Sequence, residues 1–396
     1  MIPLNKLRLF AAAAAVRDDC VAIRRELHQY AALSGEEVPT IRRIGAFLDA
    51  HRIPYTTCLD GCGIVVTIGT SREPAIGIRA DIDALPVTEE TGLPFASLNT
   101  GVMHACGHDI HTAILLGTAC VLKGMEPNLS GTVKLFFQPR EETTGGALPM
   151  IEAGCMDRPC VSRVFALHVD PTIPVGKAAF LAGPMNAAVT DLAIEITGAS
   201  CHGAHPEGGV DAILAAAHVL VALQSVVSRN LAPTDAGVMT VGTLHGGTAE
   251  NIVAGQVRMT GTLRALDPDT MHVLKKRVTE VAKATAQAYG ATATVTLTDS
   301  YPVLINDDAV TDRLMTVATA VLGNENMLRM KQPSLGADDF AFFTSVAPGC
   351  YFNLGCAAPD DPAPAPLHSP RFCPDEGCIQ TGVLLEVAGA LTLLED

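Results

Sequence analysis

The stretch MHACGHDIHTA, residues 103–113, holds three histidines, one cysteine and one aspartate in eleven positions. Two geometries could gather such side chains around a metal ion. On a helix, His104, His108 and His111 would share one face, but the glycine in that turn costs about 1 kcal/mol relative to alanine. A tight loop at the glycine would instead bring Cys106 and His108 onto one ion. We therefore predict a loop that leads into a helix, so that the other two histidines need not be ligands.

Two adjacent carboxylates, Glu141 and Glu142 in QPREET, follow an apolar segment. Adjacent carboxylates repel each other unless a cation or a shared proton relieves the repulsion. An exposed acidic turn is the plain alternative. Beside a metal ion, one carboxylate can bind the ion while its neighbour takes a proton from metal-bound water. We therefore expect one ligand and one general base in this turn.

Two further histidines come from distant parts of the chain. His168 lies in the apolar segment ALHVD, and His368 lies in the proline-bounded loop PLHSP. Either alone would indicate little, since a histidine in an apolar strand is more often a hydrogen-bonded core residue. With the cysteine, histidine and glutamate above they make five ligands, more than one tetrahedral zinc site with an open position needs. Five ligands suit two ions about 3.5–4 Å apart, and Cys106 is the natural bridge because a neutral imidazole bridges poorly.

The elements that must position these residues alternate between helix and strand. We predict helices at 8–31, 39–51, 109–124 and 145–153, and short apolar strands at 63–69, 75–80, 131–138 and 162–169. Continuous apolar strands between helices indicate an α/β fold with a mostly parallel sheet that is covered on both faces. Polar residues follow these strands, and sites in such sheets form at the carboxyl ends of the strands.

Residues 186–299 follow a different pattern. The order of the predicted elements is β-α-β-β-α-β, with one continuous strand over 250–266 and a helix that begins at Asp267 and Pro268. This order is the split ferredoxin-like arrangement. We therefore predict a small inserted α+β domain at 186–299, while residues 1–185 and 300–396 form the metal-binding catalytic domain.

Composition limits the classes of function. The 396 residues exceed what one hydrophobic core usually supports. A net charge of −15 argues against nucleic acid as a partner, since phosphate binding needs clustered Lys and Arg. We find no uninterrupted run of about 18 apolar residues, so we expect no membrane span. The apolar residues 9–16 resemble a short signal peptide, but the amphipathic pattern that follows favours a helix. Twelve scattered cysteines fit reduced thiols in the cytoplasm better than a disulfide framework.

Several longer motifs resemble those of a known family. They are GIRADIDALPVTEETGLPF, GVMHACGHDIHTAILLGTA, FFQPREETTGGALPMIEAG, ALHVDPTIPVG, HGAHPEGGVDAI, GTAENIVAGQVRMTGTLRALDP and GADDFAFF. These motifs are similar to the amidohydrolase branch of the aminoacylase and glutamate-carboxypeptidase metallopeptidase family, which includes hippurate hydrolases, N-acyl-amino-acid amidohydrolases and auxin-conjugate hydrolases. The similarity runs from about residue 23 almost to the C-terminus. It implies a two-metal, peptidase-like catalytic domain with a mixed, mostly parallel sheet, and an inserted lid domain that dimerises.

The resemblance also implies roles for single residues of the catalytic domain. The implied metal ligands are Cys106, His108, Glu142, His168 and His368. Glu141 would be the general base, and Asp81, in RADID, would orient a metal-binding group. Other branches of the family begin this motif with a ligating histidine. This chain has Arg79 there, so no ligand is expected at that position.

In the inserted domain the resemblance implies contacts to substrate. His202, in CHGAHP, would reach into the partner subunit's site and polarise the scissile carbonyl, with His205 as the other candidate for that role. Asn251, in AENIVA, resembles a residue near the same oxyanion. Arg264, in GTLRAL, resembles the group that binds the substrate carboxylate. The plain alternatives are a surface histidine, a turn residue and an arginine paired with an aspartate.

These observations lead to one expected activity. We expect metal-dependent hydrolysis of the amide bond of N-acyl-L-amino acids or similar small conjugates, by a metal-activated water with Glu141 as general base. A dipeptidase or carboxypeptidase with the same two-metal site is the alternative. A non-catalytic small-molecule-binding protein with a degenerate site, and a thiol-based redox protein, represent other classes.

The expected cofactors are two divalent metal ions per subunit. Sulfur with imidazole favours zinc or nickel, while carboxylate admits manganese or cobalt. The expected partners are a small N-acyl amino acid or dipeptide-like substrate and further copies of this chain, in a homodimer or a higher homo-oligomer. We expect no nucleic acid and no membrane as partner.

Overall fold

The structure is a computed structural model that describes residues 6–70 and 72–395. Residues 1–5, with which the predicted catalytic domain begins, lie outside the described residues. The chain divides into two compact units. The first comprises Met1–Gly183, Ile305–Gln332 and Asp339–Asp396, and the second comprises Pro184–Leu304 and Pro333–Asp338.

The helices, in chain order, are α1 (Lys6–Gln29), α2 (Val38–Ala50), α3 (His108–Met125), α4 (Ala147–Glu152), α5 (Ala212–Asn230), α6 (Pro268–Ala288), α7 (Asp308–Leu322), α8 (Ala341–Val346) and α9 (Gly377–Leu393). The strands are β1 (Tyr55–Cys58), β2 (Gly63–Gly69), β3 (Ala75–Asp81), β4 (Thr132–Gln138), β5 (Val161–Pro174), β6 (Ala178–Phe180), β7 (Gly183–Asn186), β8 (Ala188–Thr197), β9 (Cys201–His202), β10 (Gly237–Gly246), β11 (Ile252–Val253), β12 (Gln256–Ala265), β13 (Thr292–Tyr301), β14 (Leu304–Asn306), β15 (Met327–Arg329) and β16 (Gly349–Ala357).

The first unit is built on an eight-stranded sheet in the order β1-β2-β4-β3-β5-β16-β6-β15. Strands β4, β3, β5 and β16 are parallel to their neighbours in that run, whereas β2 pairs with β1 and β4 in antiparallel fashion, as does β6 with β16. Every residue of β3 and β4 is buried. Because successive side chains of a strand point to opposite faces, both faces of the sheet centre are covered. The prediction of a mixed, mostly parallel sheet is confirmed.

Strand β5 is longer than predicted. The expected strand ended at residue 169, but the ladder with β16 continues from Gly355 opposite Asp170 to Ala357 opposite Pro174. His168 therefore lies within the strand and not at its end. The apolar periodicity stops near this point because the last residues of β5 alternate between buried and exposed, so the sequence marks only the fully buried part.

The second unit contains the elements β8, α5, β10, β12, α6 and β13 in that order. Its four-stranded antiparallel sheet has the order β10-β12-β8-β13, so the predicted ferredoxin-like arrangement is confirmed. The predicted continuous strand over 250–266 is wrong. It breaks at Gly255, whose carbonyl accepts a hydrogen bond from Gly198 and where a Cβ would lie 2.5 Å from Ser200 Oγ. The short β11 pairs with β9 instead.

Among the described residues, helix α5 is long and apolar enough, by length and composition alone, to cross a membrane. It has 19 residues and a mean hydropathy of 1.6 over an 18-residue window, of which 33% is buried. Its buried residues recur at helical spacing and face the apolar core of the second unit: Ala212, Ala215, Ala216, Val219, Leu223 and Val226. This pattern is typical of a helix that packs on a sheet by one face.

Candidate metal centre

Three neighbouring strands bring four of the predicted site residues to one edge of the first unit's sheet. Strands β4, β3 and β5 are adjacent and parallel, so their carboxyl-terminal halves lie side by side. Asp81 ends β3 and Asp83 follows it, while Glu141 and Glu142 lie in the turn after β4. His168 lies on β5. The sheet topology therefore gathers residues that are up to 87 positions apart in the chain.

A tight loop at Gly107 adds the cysteine and the next histidine. Gly107 has a φ of 87° and immediately precedes α3, a backbone conformation that glycine adopts without strain. A Cβ at this position would lie 2.4 Å from Val169 Cγ2. The predicted loop into a helix is found here, with Cys106 before the glycine and His108 as the first residue of α3.

All five predicted ligands converge in the first unit. The Sγ of Cys106 lies 3.4 Å from His168 Nε2. The Oε1 of Glu142 lies 3.8 Å from His108 Nε2 and 3.4 Å from His368 Nε2. Two groups of possible ligand atoms, each within 4.8 Å of one another, share the cysteine: Cys106, His108 and His168, and Cys106, Glu142 and His368. One thiol thus lies between two sets of donors.

The histidine tautomers leave nitrogen lone pairs facing this cluster. The Nδ1 of His168 lies 2.8 Å from the carbonyl oxygen of Val169, and the Nδ1 of His108 lies 3.2 Å from Asp83 Oδ1. Each Nδ1 therefore carries the proton and donates, so that Nε2 can bind a metal ion. In the part of the chain that the structure describes, His108 Nε2 and Glu142 Oε1 are buried without a hydrogen bond. Burial of such atoms is costly, and a bound cation would compensate both.

The electrostatics of the cluster also favour positive charge. Burial lowers the pKa of His108, but Asp81 and the hydrogen bond to Asp83 outweigh it and hold the pKa well above its usual range. Burial raises the pKa of Glu142, yet its ion pair with His368 at 3.4 Å and the charge of His108 bring it below the ordinary value. Burial raises the pKa of the Cys106 thiol well above its usual range. A thiolate here needs nearby cations, and this donor set fits divalent metal ions.

The other two histidines of the opening stretch have no place among the ligands. His111 has both ring nitrogens occupied, because Nδ1 lies 2.6 Å from Asp81 Oδ1 and Nε2 accepts the N–H of Val169 at 2.9 Å. His104 is buried, and neither of its ring nitrogens makes a hydrogen bond within the described residues. Burial lowers the pKa of His104 to about 4. Both histidines therefore pack beside the cluster and are not candidate metal ligands.

Asp83 is a site residue to which the sequence assigned no role. Its carboxylate joins two ligands, since Oδ1 faces His108 Nδ1 and Oδ2 accepts the backbone N–H of Glu142 at 3.0 Å. Asp81, which was expected to orient a ligand, lies 3.6 Å from His108 Nε2 and pairs more closely with Arg79 and His111, each at 2.6 Å. The alternation in RADID places Asp81 and Asp83 on one side of the chain, which is the only sequence signal for Asp83.

Asp339 is a second buried carboxylate that the sequence did not identify. It accepts hydrogen bonds from the guanidinium of Arg79 at 2.7 Å and from the backbone N–H groups of Gly146 and Ala147 at 2.8 and 3.0 Å. It thereby fixes the segment that follows Glu141, the predicted base. Glu141 itself is 8% exposed and has a carboxylate oxygen within 4.8 Å of ligand atoms of His108 and Glu142.

The residues predicted to contact substrate from the inserted domain lie in the second unit. His202 is exposed on β9, and its Nδ1 accepts the N–H of Ala204 at 3.0 Å. The carbonyl of Asn251 accepts the N–H of Gly203 at 2.8 Å, which brings Asn251 next to the His202 strand. The guanidinium of Arg264 donates to the carbonyl of Leu335 at 2.8 Å.

Known proteins resemble this chain in both sequence and structure. N-acetyl-L-cysteine deacetylase of Bacillus subtilis (strain 168) is 38% identical over 362 residues, which cover 91% of this chain and 84% of that protein. IAA-amino acid hydrolase ILR1-like 4 of Arabidopsis thaliana is 37% identical over 381 residues, which cover 95% of this chain and 86% of that protein. Both similarities extend over nearly the whole chain.

A solved structure and a family comparison agree with these relatives. The crystal structure of a dinuclear metal binding peptidase of the M20 family from Bacillus subtilis has a TM-score of 0.84 at 31% identity, and the match covers 96% of this chain and 99% of that chain. The sequence model of Peptidase family M20/M25/M40 matches residues 77–389. The resemblance to the amidohydrolase branch is therefore confirmed, and this chain belongs to Peptidase family M20/M25/M40.

Proposed function

We propose that this chain is a two-metal amidohydrolase that cleaves the amide bond of N-acyl-L-amino acids or similar small amide conjugates. The observation that carries the proposal is the position of Cys106 between two sets of ligand atoms, one with His108 and His168 and the other with Glu142 and His368. When bound, two divalent ions supply a Lewis acid for the carbonyl and an activated water. The printed activities of the two relatives, a deacetylase and an amino acid conjugate hydrolase, support the substrate class.

Proton transfer and metal binding are carried out by different side chains of the protein. Glu141 is the general base: its carboxylate takes a proton from the attacking water and then delivers it to the leaving amine. Its burial beside His108 and Glu142 supports this role. Asp83 and the carbonyl of Val169 hold the two histidine rings in the tautomers that the ligands need, and Asp81 supports the same cluster through His111.

The substrate contacts of the second unit belong to the same proposal. His202 accepts a hydrogen bond at Nδ1, so its proton lies on Nε2, which can donate to the developing oxyanion. This tautomer favours His202 over His205 for that role. Asn251 lies near the same oxyanion, and Arg264 binds the substrate carboxylate. The segment 186–299 acts as a lid and dimerisation domain, so that His202 serves the partner subunit of a homodimer or a higher homo-oligomer.

The compartment and the metal complete the proposal. We place the protein in the cytoplasm, because all twelve cysteines are free and reduced thiols persist there. The metal pair is drawn from zinc, manganese, cobalt and nickel, which the sulfur, imidazole and carboxylate donors all accept.

A substrate panel tests this function. The protein, reconstituted separately with each of the four ions, is offered N-acetyl amino acids, N-benzoyl amino acids and unblocked dipeptides. We expect hydrolysis of acylated amino acids with at least one ion and little cleavage of dipeptides. Preferential cleavage of dipeptides would establish the dipeptidase alternative. A metal-loaded protein that is inert toward every amide would favour a non-catalytic binding protein.

A further inference from the structure

The turn that carries the general base has a strained backbone. In this turn, residues 139–145, Arg140 has a φ of 63°, a left-handed conformation that costs a residue with a side chain about 1–2 kcal/mol. The carbonyl of Arg140 accepts the N–H of Gly145 at 2.9 Å. Glu141 and Glu142 follow directly, so their positions depend on this conformation. Something outside the turn must therefore stabilise it.

A buried carboxylate from a distant part of the sequence contacts the strained residue. The Oε1 of Glu37 accepts the backbone N–H of Arg140 at 3.0 Å and that of Gly35 at 2.8 Å. The neighbouring Ser34 hydroxyl lies 2.6 Å from the Thr143 hydroxyl. The segment that precedes α2 thus holds the turn at two points, one before and one after the catalytic carboxylates.

Glu37 is costly to bury and serves no other visible purpose. Its side chain is 0% exposed, and it makes no ion pair with any described residue. Its Oε2 is buried without a hydrogen-bond partner in the described part of the chain. Although it stands at the N-cap position of α2, its side chain caps no N–H of that helix. Burial of an uncompensated carboxylate destabilises a protein, so this carboxylate is better explained by what it holds in place.

We infer that Glu37 is a positioning residue for catalysis: its carboxylate holds the N–H of Arg140 and, through the left-handed backbone there, the placement of Glu141 and Glu142. This inference rests on the proposed function. Residues that orient metal ligands from outside typically change metal affinity or activity about 10- to 100-fold when altered. The effect of Glu37 is expected to be of that size.

The test compares two variants of matched volume. Glu37→Met fills the site but accepts no hydrogen bond, whereas Glu37→Gln keeps a carbonyl acceptor. Glu36→Ala, at the exposed neighbouring position, is the control. Three quantities are measured for each: kcat with saturating metal, metal affinity by competition with a chromophoric chelator, and Tm. A purely structural role would lower Tm and leave the kcat and metal affinity of the folded protein unchanged.

We expect Glu37→Met to lose about 10- to 100-fold in kcat and to bind metal more weakly, while Glu37→Gln recovers most of both. Adding Arg140→Gly to Glu37→Met should restore kcat by about 5- to 30-fold, because glycine removes the left-handed cost. Values for Glu37→Met equal to those of Glu36→Ala would overturn the inference, as would equal losses in Glu37→Met and Glu37→Gln.

Two safeguards keep the result interpretable. If Glu37→Met does not fold, Glu37→Asp shortens the reach to Arg140 by one methylene, and wild-type kcat and metal affinity in that variant would contradict the inference. A wild-type protein that hydrolyses no amide refutes the proposed function and not the positioning role. The chelator competition still reports on Glu37 in that case, because it needs no turnover.

Discussion

At the scale of single residues, two adjacent glutamates of the same chemistry have different surroundings, and this difference supports the two tasks that we propose for them. The Oε1 of Glu142 lies within 4 Å of His108 and His368, two of the candidate ligand histidines. Glu141, one residue earlier in the turn, is buried beside the same cluster. The proposed separation of roles rests on the backbone of the turn and on Asp83, which accepts the N–H of Glu142.

The two glutamates should respond differently to truncation. Glu141→Ala should keep its metal and lose about 10²- to 10⁴-fold in kcat, because general-base catalysis contributes that factor. Glu142→Ala should lose bound metal, since a ligand is gone. Metal content by elemental analysis and the rate of N-acetyl amino acid hydrolysis distinguish the two. Near-normal turnover by Glu141→Ala would exclude it as the base.

The sequence predicts the five residues that cluster here as candidate ligands, but not the residues that support them. Cys106 and His108 are recognisable because cysteine, histidine and glycine at that spacing suit a metal loop. Asp339 and Glu37 are not, because an acidic residue beside another acid usually marks a solvated turn, and Asp83 shows in the sequence only as a polar residue just after an apolar strand. Their burial and their backbone N–H donors become visible only when distant strands are assembled.

At the scale of elements, the start of α3 depends on one glycine. Gly107 is left-handed and lies against Val169 on β5, so the loop with Cys106 and the helix with His108 approach β5 closely. A side chain there would meet both a conformational cost and a steric one. The close approach brings Cys106 to 3.4 Å from His168.

Gly107→Ala should destabilise the protein by about 2–5 kcal/mol, the sum of the left-handed cost and overpacking. It should also weaken metal binding, because Cys106 and His108 flank the glycine. Gly124→Ala is the matched control in the same helix: no atom lies within 4 Å of its Cβ position, and alanine should stabilise that helix by up to about 1 kcal/mol. Urea unfolding measures both. Equal stability of the two variants would contradict this account of Gly107.

The elements that sequence predicts best are those with a uniform environment. Strands β3 and β4 are wholly buried and no residue of β2 is fully exposed, so their apolar runs mark their ends within a residue or two. Strand β1 lies at the sheet edge, and each of its residues is partly or fully exposed. It therefore has no apolar run that would mark it in the sequence. The break between β11 and β12 follows from the close approach of Gly255 to Ser200, a tertiary contact that the apolar pattern of 250–266 does not reveal.

At the scale of the whole molecule, the core of the first unit contains a buried acid with a strongly raised pKa. Glu386, on α9, is 1% exposed and its partner is the Thr118 hydroxyl on α3, which donates to it at 2.7 Å. Burial raises the pKa of Glu386 to about 8, and the hydrogen bond from Thr118 opposes this only in part. The folded protein therefore retains this proton at neutral pH, while the unfolded chain releases it near the ordinary value of 4.5.

The sign of the pH effect follows from this difference. Below pH 4.5 both states hold the proton and Glu386 costs nothing. As the pH rises toward 8, the free energy of unfolding falls by about 1.4 kcal/mol per pH unit. Glu386→Gln should therefore stabilise the protein by about 3 kcal/mol at pH 7 and by less than about 1 kcal/mol at pH 5. Urea unfolding against wild type at each pH measures the difference, with the exposed Glu152→Gln as control. A gain that does not depend on pH would contradict a neutral Glu386.

The central claim is that five side chains of the first unit hold two divalent ions that are required for amide hydrolysis. The most direct measurement is a titration of chelated, metal-free protein with divalent ion, in which bound metal and hydrolysis of an N-acetyl amino acid are followed together. We predict no hydrolysis without metal and a plateau of activity at two ions per chain. Activity that survives complete chelation, or that saturates at one ion per chain, would contradict the two-metal site.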